Sequence, residues 1–247
     1  MIPLKSKQDL EMIGESGKIL AKIMQRLREF IRAGIFTQEI DRLAEELIRR
    51  ENAIPAFKGY KGFPANICTS INEEIVHGIP GERRLGNGDI ISLDLGINYK
   101  GYFSDAAITL AIGRPEPRIK KLIEVTKTAL SEGIKQARVD NHLSDISYAI
   151  QSYVEKNGFS VVREFVGHGI GLKLHEEPEI PNFGRPQQGP ILREGMVFAI
   201  EPMVNMGTWE SKILDNGWTV VTKDGLASSH FEHTVAITEN GPAILTN

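Results

Sequence analysis

Two apolar runs, each broken by one aspartate, constrain this chain more than any other feature. Asp89 to Gly96 reads as a strand of Ile90, Ile91, Leu93 and Leu95 interrupted by Asp94. Gly101 to Leu110 reads as a second strand interrupted by Asp105. The turn-prone segment from Asn98 to Gly101 lies between them, so the pair is predicted to form an antiparallel hairpin. Strands disfavour aspartate, and a buried carboxylate is costly unless a cation or donors meet it. Folding the hairpin can bring both carboxylates to one place. Either both face solvent and ion-pair there, or both belong to a site.

The stretch from Phe165 to Glu179 holds two histidines, three glycines and three glutamates. His168 sits between Gly167 and Gly169, on backbone that can turn sharply or be approached closely. The glycines predict a loop, and a loop dense in imidazole and carboxylate is a site candidate. Glu194 to Pro202 then reads as a buried strand with Glu201 at its exit, and Phe231 to Thr238 as a strand with Glu232 in its interior. Alone, these glutamates read as edge charges. With Asp94, Asp105 and His168 they make five hard or borderline ligands on separate strands and one loop.

The rest of the chain supplies covering elements. Ser6 and Asp9 form a capping-box-like start for a first helix. Its inward face is Leu10, Ile13, Gly17, Leu20, Met24, Leu27 and Ile31, with Gly34 as its end. Thr37 is expected to cap a second helix with Ile40, Leu43, Ala44, Leu47 and Ile48 inward. Pro117 begins a third, and Ser144 or Asp145 caps a fourth that Gly158 stops. The two helix pairs resemble each other, each pair precedes strands, and the Asp94 strand has a counterpart ending at Glu201. A two-fold internal repeat with a shared site is therefore expected. Taken alone, Cys68 reads as a small buried hydrophobe and His77 as structural. No low-complexity linker divides the chain, so residues 1–247 are expected to form one domain.

Composition removes other classes. The 247 residues are 41% hydrophobic and 25% charged, with net charge −3, so nothing pulls the chain toward nucleic acid or an anionic membrane. The Lys/Arg cluster at Arg118–Lys127 reads as a solvated helix face. No apolar run approaches the roughly 20 residues of a membrane span. Met1 to Lys7 has no apolar signal core, which points to the cytoplasm. One cysteine excludes an internal disulfide and a cysteine-rich zinc site. Gly167 to Gly171 lacks the lysine and hydroxyl of a P-loop. There is no Gly-x-Ser-x-Gly elbow for a serine nucleophile.

Four carboxylates and an imidazole exceed the needs of one catalytic zinc, which takes three protein ligands and water. They suit two divalent ions roughly 3.5–4 Å apart. An oxygen-rich set leans toward manganese, iron(II) or cobalt(II), with zinc possible. The natural reaction is hydrolysis of an amide or ester.

The ordered set Asp94, Asp105, His168, Glu201 and Glu232 resembles the ligand set of the methionine aminopeptidases. The matching strings span nearly the whole chain: Asn72–Pro80, Asp94–Gly96, Ser104–Asp105, Gly167–Gly171, His175–Pro178, Ile200–Pro202 and Phe231–Thr234. The resemblance implies the α+β pita-bread (creatinase/aminopeptidase) fold, a pseudo-two-fold antiparallel sheet covered by two pairs of helices. It implies the short bacterial form, with no N-terminal zinc-finger extension and no long insertion between Glu201 and Glu232. It implies removal of N-terminal methionine from nascent proteins and peptides when the second residue is small. In that family a metal-bridging hydroxide attacks the first peptide bond.

Roles at the matched positions are implied in the same way. Asp94 would chelate one ion, His168 and Glu201 the other, and Asp105 and Glu232 would bridge. Glu201 would accept the proton, His175 would bind the scissile carbonyl oxygen, and His77 would contact the scissile nitrogen. Tyr60, Phe63, Cys68, Leu174 and Trp218 would line the methionine pocket, where soft aromatic walls suit a thioether. Leu174 and Phe63 depart from the commoner aromatic and tyrosine of that family, which bears on pocket shape. The chain opens Met1-Ile2, and a large second residue predicts that Met1 is retained. The resemblance further implies a monomer and transient ribosome contact, with no specific nucleic acid and no membrane as partner. Two other readings stand beside it: an Xaa-Pro aminopeptidase or prolidase, and a non-catalytic binding protein on the same fold.

Overall fold

Alternation along the Asp94 strand (Ile90–Tyr99) sets the architecture. Ile91, Leu93, Leu95 and Ile97 lie on one face and are buried beneath helices. Ser92, Asp94 and Gly96 lie on the other. The computed structural model describes residues 2–247; Met1, whose retention the sequence predicts, lies outside them.

Two helices, α1 (Lys7–Phe30) and α2 (Thr37–Arg50), cover the first half of the sheet. Leu20, Leu27, Ile40 and Ile48 pack on Ile91, Leu93 and Leu95. Two more, α3 (Pro117–Gln136) and α4 (Leu143–Lys156), cover the second half. There Leu130, Ile146, Ile150 and Val154 join Phe198, Ile200, Val235 and Ile237. Each such buried side chain contributes about 1.5–3 kcal/mol relative to exposure, an upper estimate.

Among the described residues the main sheet has nine strands, all paired antiparallel. Its path runs Ile54–Pro55, Ile90–Tyr99, Tyr102–Ala111, Glu232–Thr238, Val197–Ile200, Gly167–Gly169 and Glu176–Ile180. Cys68–Ile71 pairs with the Asp94 strand, and Gly241–Ile244 with the Glu232 strand. This is the α+β arrangement expected from the sequence.

The internal repeat is visible as a repeated set of backbone hydrogen bonds. Thr37 N–H donates to Arg83 and Leu85 N–H to Ile35; Leu143 N–H donates to Pro190 and Leu192 N–H to Asn141. Ile112 donates to the Asp89 carbonyl and Ile237 to the Met196 carbonyl. Asp94 and Glu201 each lie five residues beyond those two carbonyls. They occupy equivalent points of the two halves.

Several local expectations are corrected. Thr37 does not cap α2: it is the first helical residue, and its hydroxyl exchanges hydrogen bonds with Gly81. The cap residue is Phe36, whose N–H donates to the Glu39 carboxylate. Likewise His142 caps α4, and Asp145 accepts its N–H from the third helical position. Helix α1 stops at Phe30, before Gly34. The central hairpin is tighter than expected, with strands running to Tyr99 and from Tyr102 around Lys100 and Gly101. Both turn residues have positive φ, as a tight hairpin turn requires. His168 lies on a sheet strand rather than a loop. Its glycines are there for close approach: a Cβ on Gly167 would stand 2.4 Å from the Ala199 carbonyl oxygen, and one on Gly169 2.2 Å from that of Glu177.

Candidate metal centre and pocket

Register alone gathers the five ligand candidates on one face. Asp105 is opposite Gly96, two residues from Asp94. Glu232 is opposite Ala107, two residues from Asp105. Ala199 is opposite both Thr234 and His168. Glu201 follows Ala199 by two. Opposed residues and alternate residues share a face. Asp94, Asp105, His168, Glu201 and Glu232 therefore all project away from the helices. Pro202 closes the Glu201 strand, since it has no N–H to continue a ladder.

All five line one cavity together with His77, His175, Tyr60, Phe63, Cys68, Leu174 and Trp218. Its volume of about 190 Å³ is below the roughly 300–1,000 Å³ of sites for drug-sized ligands. It suits one residue of a substrate rather than a long segment. One end is polar and carries the carboxylates. The other is walled by Phe63 and Trp218, edge to face at 5.2 Å, and by Cys68 and Leu174. Gly96 keeps that end open: a Cβ there would sit 2.7 Å from Phe57 Cε1 and 3.3 Å from Leu174 Cδ1.

The polar end is built for a cation. Ligand atoms of Asp105, His168 and Glu232 all lie within 4.8 Å of one another. Asp94 Oδ1 and Glu232 Oε1 are buried with no hydrogen-bond partner. Burial raises the carboxyls of Asp94 and Glu201 to about 7. Burial and the neighbouring carboxylates hold those of Asp105 and Glu232 well above the usual range. Such mutual repulsion is what a bound divalent ion relieves. The Nδ1 of His168 lies 2.9 Å from the Gly169 carbonyl oxygen. Donation there leaves the Nε2 lone pair for the centre, 3.6 Å from Glu201 Oε1. The donor set fits divalent metal.

His175 and His77 flank this end. His175 stacks on His168 at 4.0 Å and on Tyr60 at 5.2 Å. Burial, then the His168 and Lys61 charges, pull its imidazole down to about 3, so it is neutral at pH 7. Burial pulls His77 down to about 4. His77 stands edge-on to Phe165 and Trp218, on backbone with φ +59. A non-glycine residue held there is strained, and such strain gathers at functional sites. Cys68 is opposite Asp94 in the sheet; burial and nearby carboxylates push its thiol well up.

Comparison with known proteins places this architecture. Residues 11–239 match the model of metallopeptidase family M24. The chain belongs to that family. This M24 chain is 54% identical to a methionine aminopeptidase of Clostridium perfringens, over 100% of the chain and 99% of the relative. It superposes on a methionine aminopeptidase of Rickettsia prowazekii with a TM-score of 0.99 and 40% identity, each chain fully covered. A Pyrococcus horikoshii prolidase matches with a TM-score of 0.81 at 24% identity, covering 99% of this chain and 63% of that one; this likeness shows the shared pita-bread fold alone.

Three cavity neighbours were not singled out from the sequence. Phe57 and Lys61 line the cavity. His230 is buried, and neither ring nitrogen has a partner; Nε2 lies 3.5 Å from Glu201 Oε2. Its place two residues before Glu232, on the same side of the chain, was the available signal.

Proposed function

We propose that the chain, acting as one catalytic domain, removes the N-terminal methionine from nascent proteins and peptides whose second residue is small. The observation that carries this reading is a single small cavity with a carboxylate-rich end and an apolar, aromatic-walled end. The names of the most similar relatives support it. Asp94, Asp105, His168, Glu201 and Glu232 would hold two divalent ions, drawn from manganese, iron(II), cobalt(II) or zinc. Such ions lower the pKa of water and polarise a carbonyl.

The chain's own residues do the rest. Tyr60, Phe63, Cys68, Leu174 and Trp218 seat the methionine side chain, and the closed end excludes water from it. Glu201 accepts the proton of the attacking water on a carboxylate oxygen. Neutral His175 donates an N–H to the carbonyl oxygen as negative charge develops there, the electrostatic contribution that commonly matters most. His77 donates toward the departing amine nitrogen. The cavity of about 190 Å³ takes the first residue, so a small second residue meets least hindrance at its mouth. In this reading the protein is a cytoplasmic monomer in transient contact with the ribosome, where its substrates emerge. Among the described residues no helix is long and apolar enough to cross a membrane.

The test uses metal-stripped protein with manganese, iron(II), cobalt(II) or zinc returned in turn. The peptides are Met-Ala-Ser, Met-Leu-Ser and Ala-Pro-Ser. Metal-dependent release of methionine from the first alone is the expected result. Cleavage mainly of the proline peptide points instead to an Xaa-Pro peptidase. No cleavage despite metal binding points to a binding protein on this fold.

A further inference from the structure

Far from the metal ligands in sequence, Lys5 is buried, and its side chain is 2% exposed. Its Nζ meets Glu176 Oε2 at 2.5 Å, and the Glu176 side chain is 6% exposed. Glu176 Oε1 accepts the backbone N–H groups of Leu172 and Lys173, at 2.7 and 2.9 Å. Thus one carboxylate closes the segment from Leu172 to His175 into a loop, and one lysine holds that carboxylate. The loop carries Leu174 and His175, both of which line the cavity.

Lys5 is itself fixed at several points. Its N–H donates to the Gly195 carbonyl at 2.7 Å, just before the strand that leads to Glu201. Gly195 has φ +87, and a Cβ there would stand 2.8 Å from the Lys5 carbonyl oxygen. The next residue, Ser6, is anchored by the capping box of α1. The aliphatic stem of Lys5 lies against Gly171, where a Cβ would be 2.5 Å from Cε. A buried ion pair gains little net stability, because desolvating both charges offsets their attraction. Its consequence here is geometric. Lys5 ties the loop that bears His175, through its ammonium, to the entry of the strand that leads to Glu201, through its backbone N–H.

We propose that Lys5 is a positioning residue for the reaction, acting through Glu176 to hold His175 and Leu174 against the metal centre. This rests on the aminopeptidase reading above. It needs no contact between Lys5 and substrate. Glu176 makes the local hydrogen bonds, and Lys5 sets where that small frame sits relative to the sheet. The Lys5 side chain meets Glu176 and Gly171 and none of the five ligand candidates, so metal stoichiometry is expected to survive its replacement.

The test compares wild type with Lys5→Met and Lys5→Arg, all loaded with Mn²⁺. Lys5→Met is expected to lower kcat on Met-Ala-Ser by about 10- to 100-fold, as a misplaced catalytic group does. The Mn²⁺ stoichiometry from calorimetric titration stays as in wild type, and KM rises less than kcat falls, because Leu174 is one of five residues that seat the methionine side chain. Lys5→Arg recovers most of the rate. Amide hydrogen exchange at Leu172 and Lys173 speeds up by about tenfold in Lys5→Met, as the loop opens more often. Wild-type exchange and kcat in Lys5→Met overturn the proposal. If Lys5→Met fails to fold because Glu176 is left unpaired, the neutral pair Lys5→Met/Glu176→Gln carries the same kinetic test. Wild type that cleaves no peptide defeats the aminopeptidase reading, and unchanged exchange at Leu172 and Lys173 separately defeats the positioning claim.

Discussion

His230 Nε2 lies 3.5 Å from Glu201 Oε2, while His168 Nε2 lies 3.6 Å from Oε1 of the same carboxylate. Glu201 therefore stands between two imidazoles, each facing one oxygen. Removing His230 leaves one oxygen of Glu201, the proposed proton acceptor, without that neighbour. His230→Leu is expected to lower kcat on Met-Ala-Ser by about tenfold, equivalent to about 1.4 kcal/mol. His230→Gln, which keeps an N–H donor, retains most of the rate. Steady-state kinetics on the two variants decide it, and equal losses would show that a polar group beside Glu201 does not matter.

Glu232→Gln has opposite effects with and without metal. In the metal-free protein it removes a carboxyl whose ionised form is disfavoured by burial and by the Asp105 carboxylate, which together push it well above its usual range. Thermal melting of the stripped protein should rise, by about 2–4 °C for each kcal/mol of repulsion relieved. Mn²⁺ affinity should fall by more than about tenfold, as an anionic oxygen is lost from the centre. Calorimetric titration and a melting curve on the same sample test both signs.

Stabilisation by Mn²⁺ should grow as pH rises from 5 to about 7 and then level. Asp94 and Glu201 have carboxyls raised to about 7 by burial in the metal-free fold. Raised carboxyls favour the stripped fold at low pH, and that contribution is lost as pH rises from about 4 through 7. A bound cation needs them ionised, so it competes with protons below 7 and not above. His77 and His175 run the other way: their lowered values contribute fully above about 6.5, and the contribution is lost as pH falls toward 4 and 3. That contribution is common to both forms and cancels in the difference. Denaturant melts at paired pH values, with and without Mn²⁺, measure it.

Gly96→Ala probes the pocket without touching a ligand. The added methyl meets Phe57 Cε1 at 2.7 Å, Ala56 Cβ at 3.2 Å and Leu174 Cδ1 at 3.3 Å. Overpacking of this kind costs about 1–3 kcal/mol. KM for Met-Ala-Ser should rise as the apolar end fills, while Mn²⁺ stoichiometry stays unchanged. Loss of metal binding would show that the change propagates along the strand to Asp94.

Much of this protein was legible in one dimension, because strand and helix periods are local. The alternation of Ile91, Leu93 and Leu95 with Ser92, Asp94 and Gly96 fixes which residues a helix layer must cover and which must face away. The apolar stripes of α1 to α4 follow from three-to-four spacing. Asp94, Asp105, His168, Glu201 and Glu232 were readable as one set of candidate ligands, since burying so many like charges calls for a cation, and the fold brings all five to one cavity. The doubling of helix pairs before strands was readable too.

Other features waited for the tertiary structure, for a common reason: they depend on contacts between residues remote in sequence. His168 reads locally as a glycine loop; the Ala199 and Glu177 backbones, packed close on either side, make it a strand. The first residues of α2 and α4 look like side-chain caps, yet Thr37 is claimed by Gly81 and the caps come from Glu39 and Asp145 reaching back. Nothing about Lys5 in sequence marks it as buried, since an isolated lysine is by default solvated; only the fold brings it against Glu176. Nor does His230 declare itself before the sheet sets it beside Glu201. Sequence determined the layers and the chemistry, which rest on period and residue type. The tertiary structure decided which groups stand within reach of one another, because that depends on register and on the path of the chain between strands.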